Sequence, residues 1–209
     1  MPGRFISLEG GEGVGKSTQL AALAEALTAR GVAVRTTREP GGSVGAEAIR
    51  SLLMTGAVDR WSAHAEALLF AAARADHVER TIRPAIEAGQ WVLCDRFIDS
   101  SRAYQGVAGG IDDAAILALH GFGSRGLLPD RTLVLTLPDD AAAARAALRD
   151  QGGAGDRFGL RDEHFHARVN AAFRGFAVAE PDRCRLIDAE GPPEAVTQRL
   201  VAALTDWLP

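Results

Sequence analysis

The sequence predicts an α/β fold in which helices cover both faces of a five-stranded parallel sheet. Short runs rich in β-branched and aliphatic residues alternate along the chain with longer amphipathic stretches. Most of the short runs are apolar throughout, which is typical of parallel strands buried on both faces. A β-α-β-α order requires right-handed crossovers, and these place helices on the two faces of the sheet. We therefore expect one three-layer domain from the 209 residues.

The boundaries of the elements follow from the same pattern. Pro84 is expected to kink or restart the long third helix, and Gly89 to close it with a left-handed cap. The predicted strands cover 4–9, 32–37, 91–95, 132–137 and 184–188. The predicted helices cover 15–30, 43–55, 62–88, 112–122, 139–149, 161–180 and 192–207.

Composition narrows the possible partners and compartment. The net charge of -4 disfavours a nucleic-acid or anionic-membrane surface, which would need a basic field. Cys94 and Cys184 are too few for a disulfide framework and lie in apolar runs, so we expect free thiols in a reducing compartment. No window is apolar enough for a spanning helix, and the first residues lack a signal-peptide pattern. We expect a cytoplasmic protein that binds neither nucleic acid nor membrane.

One segment carries a nucleotide-binding motif, the P-loop. Residues 9–18 are EGGEGVGKST, which contains the GxxxxGK[ST] pattern between a predicted strand and a predicted helix. Glycines let backbone N–H groups surround phosphates, and the start of the helix adds its positive dipole end. Lys16 is the only lysine in the chain, and its compact ammonium can reach the β- and γ-phosphates where a planar guanidinium would not fit. The residues predicted to bind the triphosphate are Gly10, Gly11, Glu12, Gly13, Val14, Gly15, Lys16, Ser17 and Thr18.

The strand before residue 96 supplies a second clue. The run WVLCDRF is an apolar strand that ends in Asp95 and Arg96. A carboxylate at the carboxyl end of such a strand is where Mg²⁺ is usually held. Asp95 and the Ser17 hydroxyl are therefore the predicted Mg²⁺ ligands. Two local alternatives stay open, since Asp95 could cap the following turn and Arg96 could be a surface charge. The NKxD motif of GTPases is absent, as it must be with a single lysine, and this excludes that class.

Six segments occur in one order across nearly the whole chain: EGGEGVGKST, TREPGG, FAAAR, DRFIDSSRAYQG, GID and LPD. Together they resemble the bacterial thymidylate kinase family. The resemblance implies a P-loop NTPase-type fold and transfer of the γ-phosphate of ATP to dTMP with Mg²⁺, which gives dTDP and ADP. It also implies a homodimer, which we expect to form through helices near 44–55 and 62–80.

The resemblance further implies a pocket for the acceptor base. Phe70 and Arg74 lie four residues apart on a predicted helix, so a flat ring and a guanidinium share one face. In the family these positions stack on thymine and bond its O4. By the same resemblance Ser101 contacts the base edge, Tyr104 crowds the sugar 2′ position and Gln105 completes the pocket. Core packing of Phe70 or Tyr104 and a solvated Arg74 are the alternatives.

Phosphoryl transfer between nucleotides depends on positioning and positive charge rather than on a general base. The acceptor phosphate is largely ionised at neutral pH because its second pKa is about 6. The resemblance implies that Arg38 and Arg96 hold the monophosphate and that Glu12 lies near the sugar 3′-hydroxyl. Since no histidine is needed for the chemistry, we expect the five histidines, including His164 and His166, at the surface.

A glycine- and arginine-rich segment, RDQGGAGDRFGLR at 149–161, lies between two predicted helices and predicts a mobile lid. The P-loop carries Glu12 rather than an arginine, so a cation for the transition state must come from elsewhere. The resemblance is to the subtype whose lid supplies it, which implies catalytic roles for Arg149 and Arg157. Arg145 is a weaker candidate for contact with adenine or the β-phosphate, and a polar surface loop is the alternative.

The predicted function is thus ATP-dependent phosphorylation of dTMP, with a single domain covering 1–209. Two other functions stay open at this point. An adenylate- or cytidylate-type kinase would share the P-loop but is disfavoured by the base-pocket segments. A P-loop ATPase module that regulates a partner would hydrolyse ATP without phosphorylating a small molecule. The predicted catalytic residues are Lys16, Asp95, Arg96, Arg149 and Arg157.

Overall fold

The computed structural model describes residues 2–138, 140–142, 144–145 and 157–208. Its strands are β1 (Arg4–Glu9), β2 (Val34–Arg38), β3 (Trp91–Asp95), β4 (Arg131–Thr136) and β5 (Cys184–Asp188). They form one sheet in the order β2-β3-β1-β4-β5, and every neighbouring pair is parallel. The predicted α/β class is confirmed, and all five predicted strands are present within two residues of the expected bounds.

Helices flank this sheet. They are α1 (Lys16–Thr28), α2 (Val44–Met54), α3 (Ala63–His77), α4 (Arg83–Glu87), α5 (Ile98–Ser101), α6 (Asp113–Ser124), α7 (Glu163–Ala179) and α8 (Pro193–Ala202). A short 3-10 turn, Thr205–Trp207, follows α8. Of the helix predicted over 139–149, residues 140–142 and 144–145 are helical, and the rest lies outside the described residues. No helix among the described ranges is both long and apolar enough to cross a membrane.

The long third helix is interrupted where the sequence predicts. A π-helical stretch, Val78–Ile82, follows α3 and leads into α4, which carries Pro84 in its first turn. Proline lacks the N–H that a continuous helix would need at this position. Gly89 follows with a φ of 77°, the left-handed conformation that glycine adopts without a steric cost. The predicted restart and cap are both confirmed.

One helical segment was not predicted. α5 begins three residues after β3 and continues as a π-helical stretch, Arg102–Ala108. It is short, contains Gly106 and lacks a clear amphipathic period, so no sequence signal marks it as a helix. The position of the segment is what matters: α5 carries Ser101, and the π-helical stretch carries Tyr104 and Gln105, along one side of the site described below.

The three central strands, β1, β3 and β4, are buried on both faces of the sheet. In β1, Ile6 and Leu8 pack into the cluster that contains Leu23 of α1 and Leu200 of α8, while Phe5 packs on the opposite face. Side chains of a strand alternate between the two faces, so a strand buried on both must be apolar throughout. This is why β1 shows a continuous apolar run instead of alternating polarity.

The strand order brings three predicted site segments to one edge of the sheet. β1 and β3 are neighbours with Leu8 opposite Asp95, and β2 lies on the other side of β3 with Arg38 opposite Asp95. The carboxyl ends of parallel strands face the same way, so the loops after β1, β2 and β3 meet there. The P-loop, the segment after Arg38 and the Asp95–Arg96 pair therefore surround one crevice.

The expectation that all five histidines lie at the surface is wrong for two of them. His77 and His120 are buried, whereas His64 and His164 are exposed. His77 has a polar partner at each ring nitrogen, and His120 has one at Nε2. His77 contacts Glu39 Oε1 at 3.0 Å and Thr37 Oγ1 at 2.7 Å, and His120 Nε2 lies 2.7 Å from the Leu127 carbonyl oxygen.

His120 is expected to make the protein less stable in mild acid. Burial, followed by the positive charge of Arg74, lowers the pKa of His120 from 6.5 to about 4. The unfolded state therefore binds the proton more tightly than the folded state. The free energy of unfolding should fall as the pH drops from 6.5 towards 4, by about 3 kcal/mol for this group once the pH is below both values.

Urea unfolding at about pH 7 and about pH 4.5 measures this contribution. The matched variant is His120→Gln, whose amide can still donate to the Leu127 carbonyl but does not titrate. We expect a smaller loss of stability between the two pH values in the variant than in the wild type. An equal loss in both proteins would contradict the assignment.

Candidate active site

The P-loop encloses the ammonium of Lys16. The loop runs from the end of β1 to α1, and Gly10 and Gly15 adopt φ values of 134° and 90°, which side-chain-bearing residues rarely reach. Lys16 Nζ donates to the carbonyl oxygens of Gly10 at 3.1 Å and Gly11 at 2.6 Å. Burial, followed by the charge of Arg96, lowers the pKa of Lys16 to about 8. The ammonium is thus held at the centre of a loop whose shape suits phosphates.

Ser17 and Asp95 meet beside this loop. Ser17 Oγ donates to Asp95 Oδ2 at 2.7 Å, which joins the first turn of α1 to the end of β3. The other carboxylate oxygen, Oδ1, is buried and has no hydrogen-bond partner among the residues described. A buried carboxylate oxygen is costly unless a proton donor or cation satisfies it. A hydroxyl and a carboxylate are hard oxygen ligands, so this pair fits Mg²⁺.

Arg96 connects the P-loop to α5. Its φ of 70° is unusual for a non-glycine residue and turns the chain sharply after β3. Nη2 donates to Glu12 Oε1 at 2.7 Å and to the Tyr104 hydroxyl at 3.2 Å, and Nη1 donates to the Gly10 carbonyl at 3.2 Å and to Ser100 Oγ at 3.1 Å. The alternative of a solvated surface charge does not describe this side chain, which is 18% exposed.

A cavity of about 260 Å³ opens next to Arg96. Ser17 and Asp95 lie at its wall as well, so the predicted acceptor and metal positions share one space. All eight residues predicted to bind the acceptor line it: Glu12, Arg38, Phe70, Arg74, Arg96, Ser101, Tyr104 and Gln105.

Arg74 lines this cavity in a fixed orientation. Its Nε donates to Glu39 Oε2 at 2.7 Å, and its Nη2 donates to Ser101 Oγ at 2.8 Å and to the Phe97 carbonyl at 3.3 Å. Although burial opposes ionisation of Glu39, Arg74 and His77 hold its pKa below the usual value. Arg74 is 3% exposed, so the alternative of a solvated arginine is wrong.

Aromatic rings form the sides of the cavity. Phe70 is only partly buried and stands edge-to-face with Phe158 at 5.7 Å between ring centroids. Tyr104 is buried, with its ring 6.2 Å from Phe158 and its hydroxyl 3.2 Å from Glu12 Oε1. Apolar rings with a few polar groups at fixed positions are typical of small-molecule sites.

Arg38 occupies the open side of the site. Its side chain is 56% exposed and lies 3.3 Å from Glu47 on α2. Glu47 also accepts a hydrogen bond at 3.0 Å from the N–H of Gly42, which lowers its pKa together with Arg38. An exposed ion pair of this kind contributes little to stability, so Arg38 can exchange Glu47 for a phosphate at small cost.

The predicted lid arginines are placed differently from one another. Arg149 lies outside the described residues, and Arg145 is exposed. Arg157 is buried and directed to the acceptor side, where it contacts Glu66, donates from Nε to the Leu53 carbonyl at 2.5 Å and from Nη1 to the Val58 carbonyl at 2.9 Å. None of these partners belongs to the P-loop, so its catalytic role stays a prediction.

Three buried glutamates were not singled out by sequence reasoning: Glu9, Glu39 and Glu66. Glu9 accepts hydrogen bonds from the N–H of Phe97 at 2.7 Å and from Ser100 Oγ at 2.6 Å, which ties β1 to α5. Burial, followed by the charge of Asp99, raises its pKa to about 8. The signal that the sequence offered for Glu9 was a carboxylate at the end of an apolar strand. Glu39 lies inside the quoted TREPGG segment, but its pairing with Arg74 has no local signal.

Comparisons with known proteins show the family of the chain. A family model described as thymidylate kinase matches residues 8–200. The thymidylate kinase of Rhizorhabdus wittichii is 66% identical over 209 residues, with all of both chains covered. That of Caulobacter vibrioides is 52% identical, covering 98% of this chain and 95% of its own. The crystal structure of thymidylate kinase from Ehrlichia chaffeensis superposes with a TM-score of 0.79 at 31% identity, covering 98% and 100% of the two chains.

Proposed function

The chain belongs to the thymidylate kinase family and is a kinase for dTMP, and we propose that its cavity is where dTMP receives the γ-phosphate of ATP. One observation carries this assignment of the site. Phe70, Arg74 and Ser101 line the cavity, and so do Glu12 and Ser17 of the P-loop segment. Arg96 lines it too and donates to the Gly10 carbonyl of that loop. A nucleoside monophosphate with its base against the first group, the base end, would present its phosphate to the P-loop.

At the base end we assign recognition to a donor pair and a ring. Arg74 and Ser101 are already hydrogen-bonded to one another, which pre-organises them for a carbonyl of the base. Phe70 supplies a flat apolar surface for stacking. Tyr104 lies between the base end and Glu12, where it would contact the sugar.

At the phosphate end the proposed mechanism is charge neutralisation. Arg96 and Arg38 would hold the acceptor phosphate, and Lys16 would leave the loop carbonyls for the β- and γ-oxygens of ATP. The acceptor oxygen is ionised at neutral pH, so no residue has to remove a proton. Exclusion of water by the aromatic walls would strengthen each of these contacts.

For the metal we assign Ser17 and Asp95. A bound Mg²⁺ would neutralise charge on the phosphates. The protein's own contribution is the Ser17–Asp95 hydrogen bond, which fixes the orientation of the carboxylate and leaves Oδ1 for the ion.

Asp95→Asn is expected to raise the Mg²⁺ concentration needed for half-maximal activity by about 10- to 100-fold. The amide keeps the shape of the side chain but loses the charge that attracts the cation. A Mg²⁺ titration at saturating ATP and dTMP gives the value for the wild type and the variant. An unchanged Mg²⁺ requirement would show that Asp95 instead caps the turn after β3.

The acceptor assignment is tested by measuring ADP release with dTMP, dUMP, AMP, CMP and GMP side by side. We expect the highest kcat/KM with dTMP. A preference for AMP or CMP would favour an adenylate- or cytidylate-type kinase and remove thymine from the proposed contacts. ATP hydrolysis without a phosphorylated acceptor would favour a regulatory ATPase.

Two further features remain part of the proposal. We expect a homodimer, supported by exposed apolar side chains on α2, α3 and α6: Leu52, Leu68 and Phe122. Light scattering after size-exclusion chromatography would give twice the 22.0 kDa chain mass if this is right. We also expect the protein to act in the cytoplasm, which fits its two free, buried cysteines.

A further inference from the structure

Glu66 is a buried carboxylate that joins Gln105, which lines the acceptor cavity, to Arg157. It lies one helical turn before Phe70 on α3 and is 5% exposed. Its Oε1 accepts a hydrogen bond from Gln105 Nε2 at 2.9 Å, and its Oε2 contacts Arg157. A buried charge is stable only when it is paired and hydrogen-bonded, and here both oxygens are satisfied.

The contact with Gln105 fixes which end of that amide a ligand can use. A carboxylate can only accept hydrogen bonds, so the NH₂ group of Gln105 must face Glu66. Because Gln105 also lines the acceptor cavity, its carbonyl oxygen is the part available to a bound base. An oxygen acceptor matches the imide N3–H of thymine or uracil and mismatches cytosine, whose N3 is itself an acceptor.

The contact with Arg157 fixes a wall of the same cavity. Arg157 is 2% exposed, and its guanidinium lies over the ring of the adjacent Phe158 at 4.7 Å. Phe158 in turn stands edge-to-face with Phe70 and Tyr104. Withdrawing the charge of Glu66 would leave a buried guanidinium without its carboxylate and would loosen this wall.

We propose that Glu66 is a positioning residue for acceptor selection, which orients the Gln105 amide towards an imide base and holds Arg157 and Phe158 against the cavity. This inference rests on the proposed function, since it concerns how the same cavity selects its base. It assigns Arg157 to the acceptor side in the structure described.

The test is Glu66→Gln. Arg157 has only donors, so the oxygen of the introduced amide should turn to Arg157 and its NH₂ to Gln105. Gln105 must then reverse, which presents its NH₂ to the base. We expect the KM for dTMP to rise about tenfold, the KM for ATP to change less than about twofold, and the preference for dTMP over dCMP to fall about tenfold.

The matched control is Glu79→Gln, the same chemical change at a glutamate that is 61% exposed and paired with Arg125 at the surface. We expect wild-type kinetics from it. A purely structural role for Glu66 would lower the melting temperature and kcat for every acceptor without changing the dTMP-to-dCMP preference, and that result would overturn the proposal.

A second variant keeps the proposal testable if Glu66→Gln misfolds. Glu66→Asp keeps the charge but is one methylene shorter, so it cannot contact Gln105 and Arg157 together. A few-fold rise in the KM for dTMP supports the proposal, and an unchanged KM overturns it. Wild-type protein that fails to phosphorylate dTMP would instead overturn the proposed function, so the two failures are distinguishable.

Discussion

Replacing Lys16 with arginine is expected to lower kcat by about 10³-fold, although the charge is retained. Lys16 is 8% exposed, and its Nζ lies within hydrogen-bond distance of two carbonyls of its own loop. A guanidinium is wider and planar, so it can neither occupy this space nor move along the loop to the phosphates. Arginine occupies the other 22 Lys and Arg positions of the chain. Position 16 is therefore the one where the shape of the side chain, and not only its charge, determines which residue can function.

The measurement is steady-state kinetics at saturating ATP and dTMP, together with thermal unfolding of both proteins. Lys16→Met is the companion variant, because it keeps the slim stem and removes the charge. We expect both variants to be inactive but folded. Substantial activity in Lys16→Arg would mean that charge alone is sufficient at this position.

Replacing Arg96 with lysine is expected to lower kcat/KM for dTMP by about 10²- to 10³-fold. The two Nη atoms of Arg96 reach different partners, with Nη1 on Gly10 and Ser100 and Nη2 on Glu12 and Tyr104. A lysine has one nitrogen and cannot span them, so the acceptor phosphate would lose a bidentate, pre-oriented partner.

Arg80→Lys is the matched control for this prediction. Arg80 is 70% exposed and pairs with Asp76 along one helix face. Its side chain is therefore far less constrained by its surroundings than that of Arg96. We expect no measurable change in its kinetics. If Arg96→Lys also retained wild-type kcat/KM, the placement of the acceptor phosphate at Arg96 would have to be given up.

Much of the fold could be predicted because its signals are local. Most of the five strands are short contiguous apolar runs, and the P-loop is a contiguous motif between one strand and one helix. The rule of right-handed crossovers then predicts a parallel sheet with helices on both faces. α5 and the π-helical stretch after it escaped prediction because tertiary contacts order them rather than a period of their own. Ser100 of α5 donates to Glu9 of β1, and Tyr104 of the π-helical stretch packs on Phe165 of α7.

The residue types of the site could also be assigned, but not their partners. All eight predicted acceptor residues line one cavity. Arg157, in contrast, was predicted at the triphosphate and lies on Glu66. The sequence around Arg157 shows an arginine in a glycine-rich stretch, and nothing in it indicates that Glu66 is the ion-pair partner.

The sequence by itself determined the fold class, the P-loop with its single lysine, and which segments carry binding side chains. Only the tertiary structure decided how the buried charges are paired. Glu39 meets Arg74 across 35 positions of the chain, and Glu66 meets Arg157 across 91. Such pairs depend on distance in space within a low-dielectric interior, where an unpaired charge is costly. The order of residues along the chain specifies the charges, and the packing of the sheet and helices selects which of them meet.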